Sequence, residues 1–296
     1  MFDIIGKRYL FFLISAGVIL VGIISLVAFG LRPGIEFSSG SMMTVSFERE
    51  VDHRQLRQEL ASLGYADAIV QRTGEGDFLI RTATLTGEKK TELTNALVAK
   101  FGNLEEMEFY SVSPMVATET ARNAFWAVLA AAVGILLYIT WAFRRMPNPL
   151  HYGTCAIIAL VHDVLVVLGI FSILGVMFDW EINLMFITGV LAVIGYSVNN
   201  TVVVFDRIRE NLTKGVSSNF AVIVNSSLVE TLSRSLNTSL TTLFVVLALL
   251  LFVGASIQNF AVVLLIGIIA GTYSSICIAP LLVLVWEKRE WGKFLR

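Results

Sequence analysis

The side chains of this sequence best placed to do chemistry are ionisable groups and amides set inside long apolar runs. His162-Asp163 lies midway along one such run. An isolated charge is costly in hydrocarbon, so a carboxylate there must be protonated, paired, or open to a wet cavity. It is either a functional titrating group or a helix-packing aspartate bonded to nearby hydroxyls and amides, and the sequence leaves both open. A second polar patch is Gly195-Tyr196-Ser197-Val198-Asn199-Asn200-Thr201, where Tyr196 and Asn200 share a helix face at i, i+4. The adjacent amides Asn199 and Asn200 need partners and are expected to face the bundle interior, where hydrogen bonding between helices is the simpler role. A third begins with Arg234 and continues through Asn237, Thr238, Thr241 and Thr242. At the start of a span Arg234 either snorkels to the membrane surface or reaches inward towards Asn200 or Asp163. Gly267, Gly271 and Ser275 form a small-residue ridge suited to close helix packing.

Familiar catalytic signatures are absent. The sequence has no HExxH, no phosphate-binding glycine loop, no nucleophile elbow and no zinc-spaced Cys/His cluster, and His53, His151 and His162 do not form a metal set. No enzyme activity, cofactor or metal is therefore expected. Cys155 and Cys277 sit in apolar runs, where thiols usually act as packing residues.

The elements that must hold these residues are membrane spans. The chain is 56% hydrophobic and 15% charged, with mean hydropathy +0.76, against about 25% charged in ordinary soluble domains. That excludes a soluble globular enzyme and predicts a polytopic α-helical membrane protein. Six runs are long enough to cross: Tyr9–Phe29, Asn123–Phe143, Tyr152–Val176, Ile182–Phe205, Leu236–Val253 and Phe260–Trp286. The first follows Lys7 and Arg8 and resembles a signal peptide, but its apolar run is too long, so an uncleaved anchor is expected. Lys7, Arg8, Arg144, Arg145, Arg207, Arg209, Lys214, Lys288, Arg289, Lys293 and Arg296 all fall on one side of a six-span chain. This places both termini in the cytoplasm.

The same topology places residues 31–121 outside, between a first segment at 1–30 and a five-helix region at 122–286, with a basic tail at 287–296. The outside block is acidic: Glu36–Glu119 holds 14 acidic and 8 basic residues. Its pattern predicts strands at Ser41–Glu48, Asp67–Arg72, Asp77–Ala83 and Leu104–Ser113. Helices are predicted at His53–Leu63 and Glu88–Phe101, and a hairpin turn at Thr73-Gly74-Glu75-Gly76. The order β-α-β-β-α-β is that of a small α+β ferredoxin-like domain.

The segment from Gly195 to Asn211, ending Val203-Val204-Phe205-Asp206-Arg207-Ile208-Arg209-Glu210-Asn211, closely resembles the fourth-span signature of the SecF family. Gly34-Ile35-Glu36-Phe37-Ser38-Ser39-Gly40, His162-Asp163-Val164, Ser233-Arg234 with Asn237-Thr238-Ser239, and Gly271-Thr272-Tyr273-Ser274-Ser275 match in order. The resemblance implies an RND-like half of six spans, in the bacterial plasma membrane, that pairs with SecD. The pair assists preprotein export through the SecYEG translocon with the proton-motive force. YidC and YajC are further expected associates, preproteins and the lipid bilayer are also partners, and nucleic acid is not. By the same resemblance a fourth-span aspartate and a fifth-span arginine move protons. The arginine maps onto Arg234 and the aspartate onto Asn200, where the usual Asp is replaced. An amide carries no proton, so coupling rests on SecD, shifts towards Asp163 and its neighbour His162, or is weak or uses another ion. A purely structural subunit is the alternative class. A half-size RND small-molecule exporter is disfavoured because the outside block is too short for a porter domain.

Overall fold

A computed structural model describes residues 3–72, 76–252 and 257–288. The expected turn at Thr73-Gly74-Glu75, the loop beginning at Gly254 and the basic tail beyond Lys288 lie outside these residues. The chain divides into two compact units, one formed by Met1–Arg32 with Trp126–Arg296 and the other by Pro33–Phe125.

The first unit is helical. A 3-10 turn at Ile5–Lys7 leads into α1 (Arg8–Phe29). Its remaining helices are α5 (Pro114–Ala142), which begins within the last residues of the second unit, α6 (Pro149–Phe178), α7 (Leu184–Thr213), α8 (Phe220–Phe252), α9 (Gln258–Cys277) and α10 (Ala279–Glu287). Taking α9 with α10, six segments among the described residues are long and apolar enough to cross a membrane. The helices outrun the hydrophobic runs that predict them. α5 begins at Pro114, α7 continues to Thr213, and α8 starts at Phe220 rather than at Leu236. Polar residues continue a helix whenever water or a neighbour can solvate them, so hydropathy marks the lipid-facing part and misses the ends. The sixth segment is also broken at Ile278 (φ −118°, ψ −65°). Pro280 follows, and a proline ring clashes with the carbonyl four residues earlier and donates no hydrogen bond.

Two parallel helix pairs organise this unit, each closing on glycine. Along α1 and α6, Ser15 meets His162, Gly22 meets Gly169 and Ser25 meets Ser172. Beyond the helix ends Arg32 pairs with Asp179 in the same register. A Cβ placed on Gly169 would lie 2.6 Å from Gly22 Cα, so neither helix tolerates a side chain there. Along α7 and α9, Gly189 meets Val263, Val193 meets Gly267 and Ser197 meets Gly271. A Cβ on Gly267 would lie 2.1 Å from a Val193 methyl. Small residues let backbones approach closely where lipid offers no hydrophobic drive to pack. Asn225 of α8 adds a long-range clasp: its Oδ1 accepts from the Ile4 and Ile5 amides at 3.0 and 3.4 Å, capping the start of the first helix.

Among the described residues the second unit is a four-stranded antiparallel sheet covered by two longer helices, with one short helical turn before its first strand. Its elements are α2 (Ile35–Ser38), β1 (Gly40–Phe47), α3 (His53–Ser62), β2 (Ile69–Arg72), β3 (Phe78–Thr82), α4 (Gly87–Phe101) and β4 (Leu104–Val112). The strand order β2-β3-β1-β4 is the ferredoxin-like arrangement. Alternation puts Met43 and Val45 of β1 on one face with Phe78 and Ile80 of β3. Leu56, Leu60, Leu93 and Leu97 of the two helices cover that face. Asp52 caps α3 by accepting from the Arg54 and Gln55 amides. Gly40 has φ +133°, and a Cβ there would lie 2.7 Å from the Thr82 carbonyl oxygen, so the entry to β1 requires glycine.

Candidate functional site

Asp163 is fully buried in the middle of α6, and its donors come from three helices. Ser197 of α7 and Ser274 of α9 donate to Oδ2 at 2.5 and 2.8 Å. His162 Nδ1 lies 3.0 Å from Oδ1. With Nδ1 donating to the carboxylate, the Nε2 of a neutral ring accepts from the Ser15 hydroxyl of α1 at 2.9 Å. The His162 ring stacks on Tyr273 of α9, with centroids 6.0 Å apart, and Tyr273 donates to the Phe11 carbonyl at 2.7 Å. The close α7/α9 contact makes this possible. A Cβ on Gly271 would sit 2.9 Å from Ser197 Cβ, and removing it brings both serines to the same carboxylate oxygen.

Asp163 is the buried carboxylate among the described residues, and none of their lysines or arginines pairs with it. Its partners are three hydroxyl or imidazole donors. Such a site can hold either protonation state with little rearrangement, because hydroxyls turn to donate or accept. Ser197 and Ser274 lay inside motifs already quoted, but serine is common in membrane helices and nothing in its spacing singled them out. Ser15 and its bond to His162 had no sequence signal.

The other predicted residues fall into two groups. Tyr196 donates to Ser239 of α8 at 3.0 Å, and Ser239 bonds Thr272 of α9 at 2.6 Å. Asn200 lies one helical turn after Tyr196 on α7, and Ser235 one turn before Ser239 on α8. Both are 2% exposed, and Asn200 Nδ2 and Ser235 Oγ have no hydrogen-bond partner among the described residues. Gly267 and Gly271 lie in the α7/α9 contact, and Ser275 is buried with its hydroxyl on the Thr272 carbonyl.

Asn199 departs from the expected inward placement, and Gly195 lies one turn before it. Both are exposed, and a Cβ on Gly195 would meet nothing within 4 Å. Successive helical residues point about 100° apart, and the sector of α7 that carries Val193, Ser197, Asn200 and Val204 is the buried one, which leaves Asn199 outside with Ala192 and Gly195. Arg234 is exposed within α8, well inside the helix rather than at its start. No hydrogen bond or ion pair joins it to Asn200 or Asp163 among the described residues. Asn237, Thr238 and Thr241 are exposed as well, and Thr238 and Thr241 donate to carbonyls one turn back on their own helix. Among the described residues no group of three His, Cys, Asp or Glu side chains is placed to hold a metal.

The likeness to known proteins extends over the chain. Residues 92–289 match the family described as protein export membrane protein SecD/SecF, C-terminal, and residues 24–51 match the SecD/SecF GG motif. The protein translocase subunit SecF of Thermobaculum terrenum is 44% identical, covering 100% of this chain and 97% of the relative. The protein translocase subunit SecDF of Bacillus subtilis is 37% identical over 98% of this chain, which corresponds to 39% of that longer protein. The crystal structure of SecDF from Thermus thermophilus, titled a translocon-associated membrane protein, superposes with a TM-score of 0.84 at 33% identity. It matches 97% of this chain and 39% of that one. With six candidate spans, a ferredoxin-like second unit and these matches, the chain belongs to the SecD/SecF family of protein-export membrane proteins, on its SecF side.

Proposed function

We propose that this chain is a SecF subunit that works with SecD to assist preprotein export through the SecYEG translocon, drawing on the proton-motive force. It lies in the bacterial plasma membrane with both termini in the cytoplasm. Residues 1–30 form the N-terminus and first span, 31–121 the outside domain, 122–286 the remaining spans and 287–296 a basic cytoplasmic tail. Family membership supports the export role, and YidC and YajC are proposed as further associates. The short basic loops support the orientation.

The observation that carries proton coupling is Asp163, a fully buried mid-span carboxylate bonded only by groups that can rearrange when it gains or loses a proton. A site for SecD is supported by two outward stripes on adjoining helices. On α7 these are the exposed Ala192, Gly195 and Asn199, at i, i+3, i+7; on α8 they are Arg234, Asn237, Thr238 and Thr241. A guanidinium and an amide facing lipid are unfavourable, whereas a second helical bundle can solvate both.

The test uses membrane vesicles containing the chain with its SecD partner and the translocon, with export measured with and without an uncoupler. Replacing Asp163→Asn is expected to remove the uncoupler-sensitive part of export while SecD still co-purifies. Unchanged sensitivity in that variant overturns the assignment to Asp163. Asn200 favours a second reading, a structural stabiliser of SecD and the translocon, under which the unmodified chain shows no uncoupler sensitivity at all. Asn200→Asp is expected to keep or strengthen proton dependence under the first reading.

A further inference from the structure

A groove of about 500 Å³ runs along the membrane-spanning unit between the first helix, α8 and α9. Ile4 and Phe11 line one wall, Leu232, Leu236, Leu240 and Leu243 of α8 another, and Ile269 of α9 a third. Leu236, Leu240 and Ile269 are exposed, so the groove opens sideways, which for a span means into the bilayer. From Leu232 to Leu243 it is about 16 Å long at the helical rise of 1.5 Å per residue. That is the depth of one leaflet in a hydrocarbon core of ~30 Å.

The polar stripe of α8 through Arg234, Asn237, Thr238 and Thr241 lies roughly half a turn round the helix from these leucines. A partner bundle that takes the stripe therefore leaves the groove open to lipid. One end of the groove is basic. Lys7 and Arg8 lie in sequence between the two lining residues Ile4 and Phe11, where the 3-10 turn joins α1. Lys7 is exposed, and Arg8 is partly exposed with a guanidinium nitrogen on the Ile5 carbonyl. Asp3, the acid in this segment, accepts from the Gly6 amide.

We infer that the groove holds one acyl chain of an anionic phospholipid, whose phosphate lies at Lys7 and Arg8. An apolar channel one leaflet deep matches a lipid tail, and the tail brings its headgroup to the channel's end. There, juxtamembrane lysine and arginine favour anionic over zwitterionic lipid.

The full chain, stripped of lipid in mild detergent, is offered phosphatidylglycerol and phosphatidylcholine in equal amounts, and retained lipid is counted by native mass spectrometry. One lipid per chain is expected, with phosphatidylglycerol preferred by roughly tenfold. Lys7→Gln with Arg8→Gln is expected to bring the ratio near one while keeping the tail bound. Leu240→Trp, or Leu236→Trp where the first variant melts early, fills an exposed groove wall and is expected to release lipid of either kind. Equal retention of the two lipids by the unmodified chain, or undiminished binding in a groove-filled variant with an unchanged melt, overturns the inference. So does displacement of the lipid when a SecD partner is added, which would make the groove a helix-docking site.

Discussion

α6 and α8 use the same small polar residues to opposite ends. In the most apolar stretch of α6, half of the residues are buried within the chain; in that of α8, 17% are. On α7 and α9, the Ser197 and Ser274 hydroxyls point across to Asp163 of α6. On α8, Thr238 and Thr241 spend their hydroxyls on their own backbone one turn back, beside an arginine and an amide that face outward. Sequence records both simply as polar residues in a span. What separates them is the face they occupy: Ser239, on the buried face of α8, also bonds across to Tyr196 and Thr272, while Thr238 and Thr241 lie on its exposed face.

Several substitutions would break or sharpen that contrast. The largest effect is expected at Gly169→Leu, which drives a side chain into the Gly22 backbone. Overpacking that cannot relax should cost about 3 kcal/mol or more, read as a fall in thermal stability in detergent or as failure to accumulate. Gly134→Leu, where a Cβ meets nothing within 4 Å, is the control and should stay within about 0.5 kcal/mol. Next comes the pair Ser197→Ala and Ser274→Ala, which strips both hydroxyls from one buried carboxylate oxygen. A loss of about 2–3 kcal/mol is expected in the same assay. A cost near zero would show that the Asp163 site is no better satisfied than the outward face of α8. The smallest effect on the fold is expected at Gly195→Leu, within about 0.5 kcal/mol for the chain alone. The same variant should sharply reduce recovery of a SecD partner in a pull-down, because the added side chain stands on an exposed stripe of small residues.

The sequence made the spans and Asp163 legible for one physical reason: both depend on the cost of leaving a group in hydrocarbon. The ferredoxin-like unit was legible through alternation, as where Met43 and Val45 face the core across from Ile80 and Phe78. Helix ends such as Phe220 and Thr213 were not, because a polar extension beyond the membrane carries no hydropathy signal. The exposure of Asn199 was not legible either, because adjacent residues of α7 such as Ser197 and Val198 can both be buried and the neighbouring helices decide which sector is. The break before Pro280 could have been read from the proline itself. The serines around Asp163 were illegible because their role depends on Gly271 and on which helix lies alongside, and no local pattern encodes that.

The clasp at Asn225 bears on the order in which the molecule is made. Translation delivers the first helix to the membrane with its leading amides uncapped, and the side chain that caps Ile4 arrives 221 residues later. Until α8 is inserted, the Ile4 and Ile5 amides lack this cap. Closure of that clasp is thus a late event in biogenesis, and a product truncated before Asn225 would keep a first helix whose beginning is never fastened.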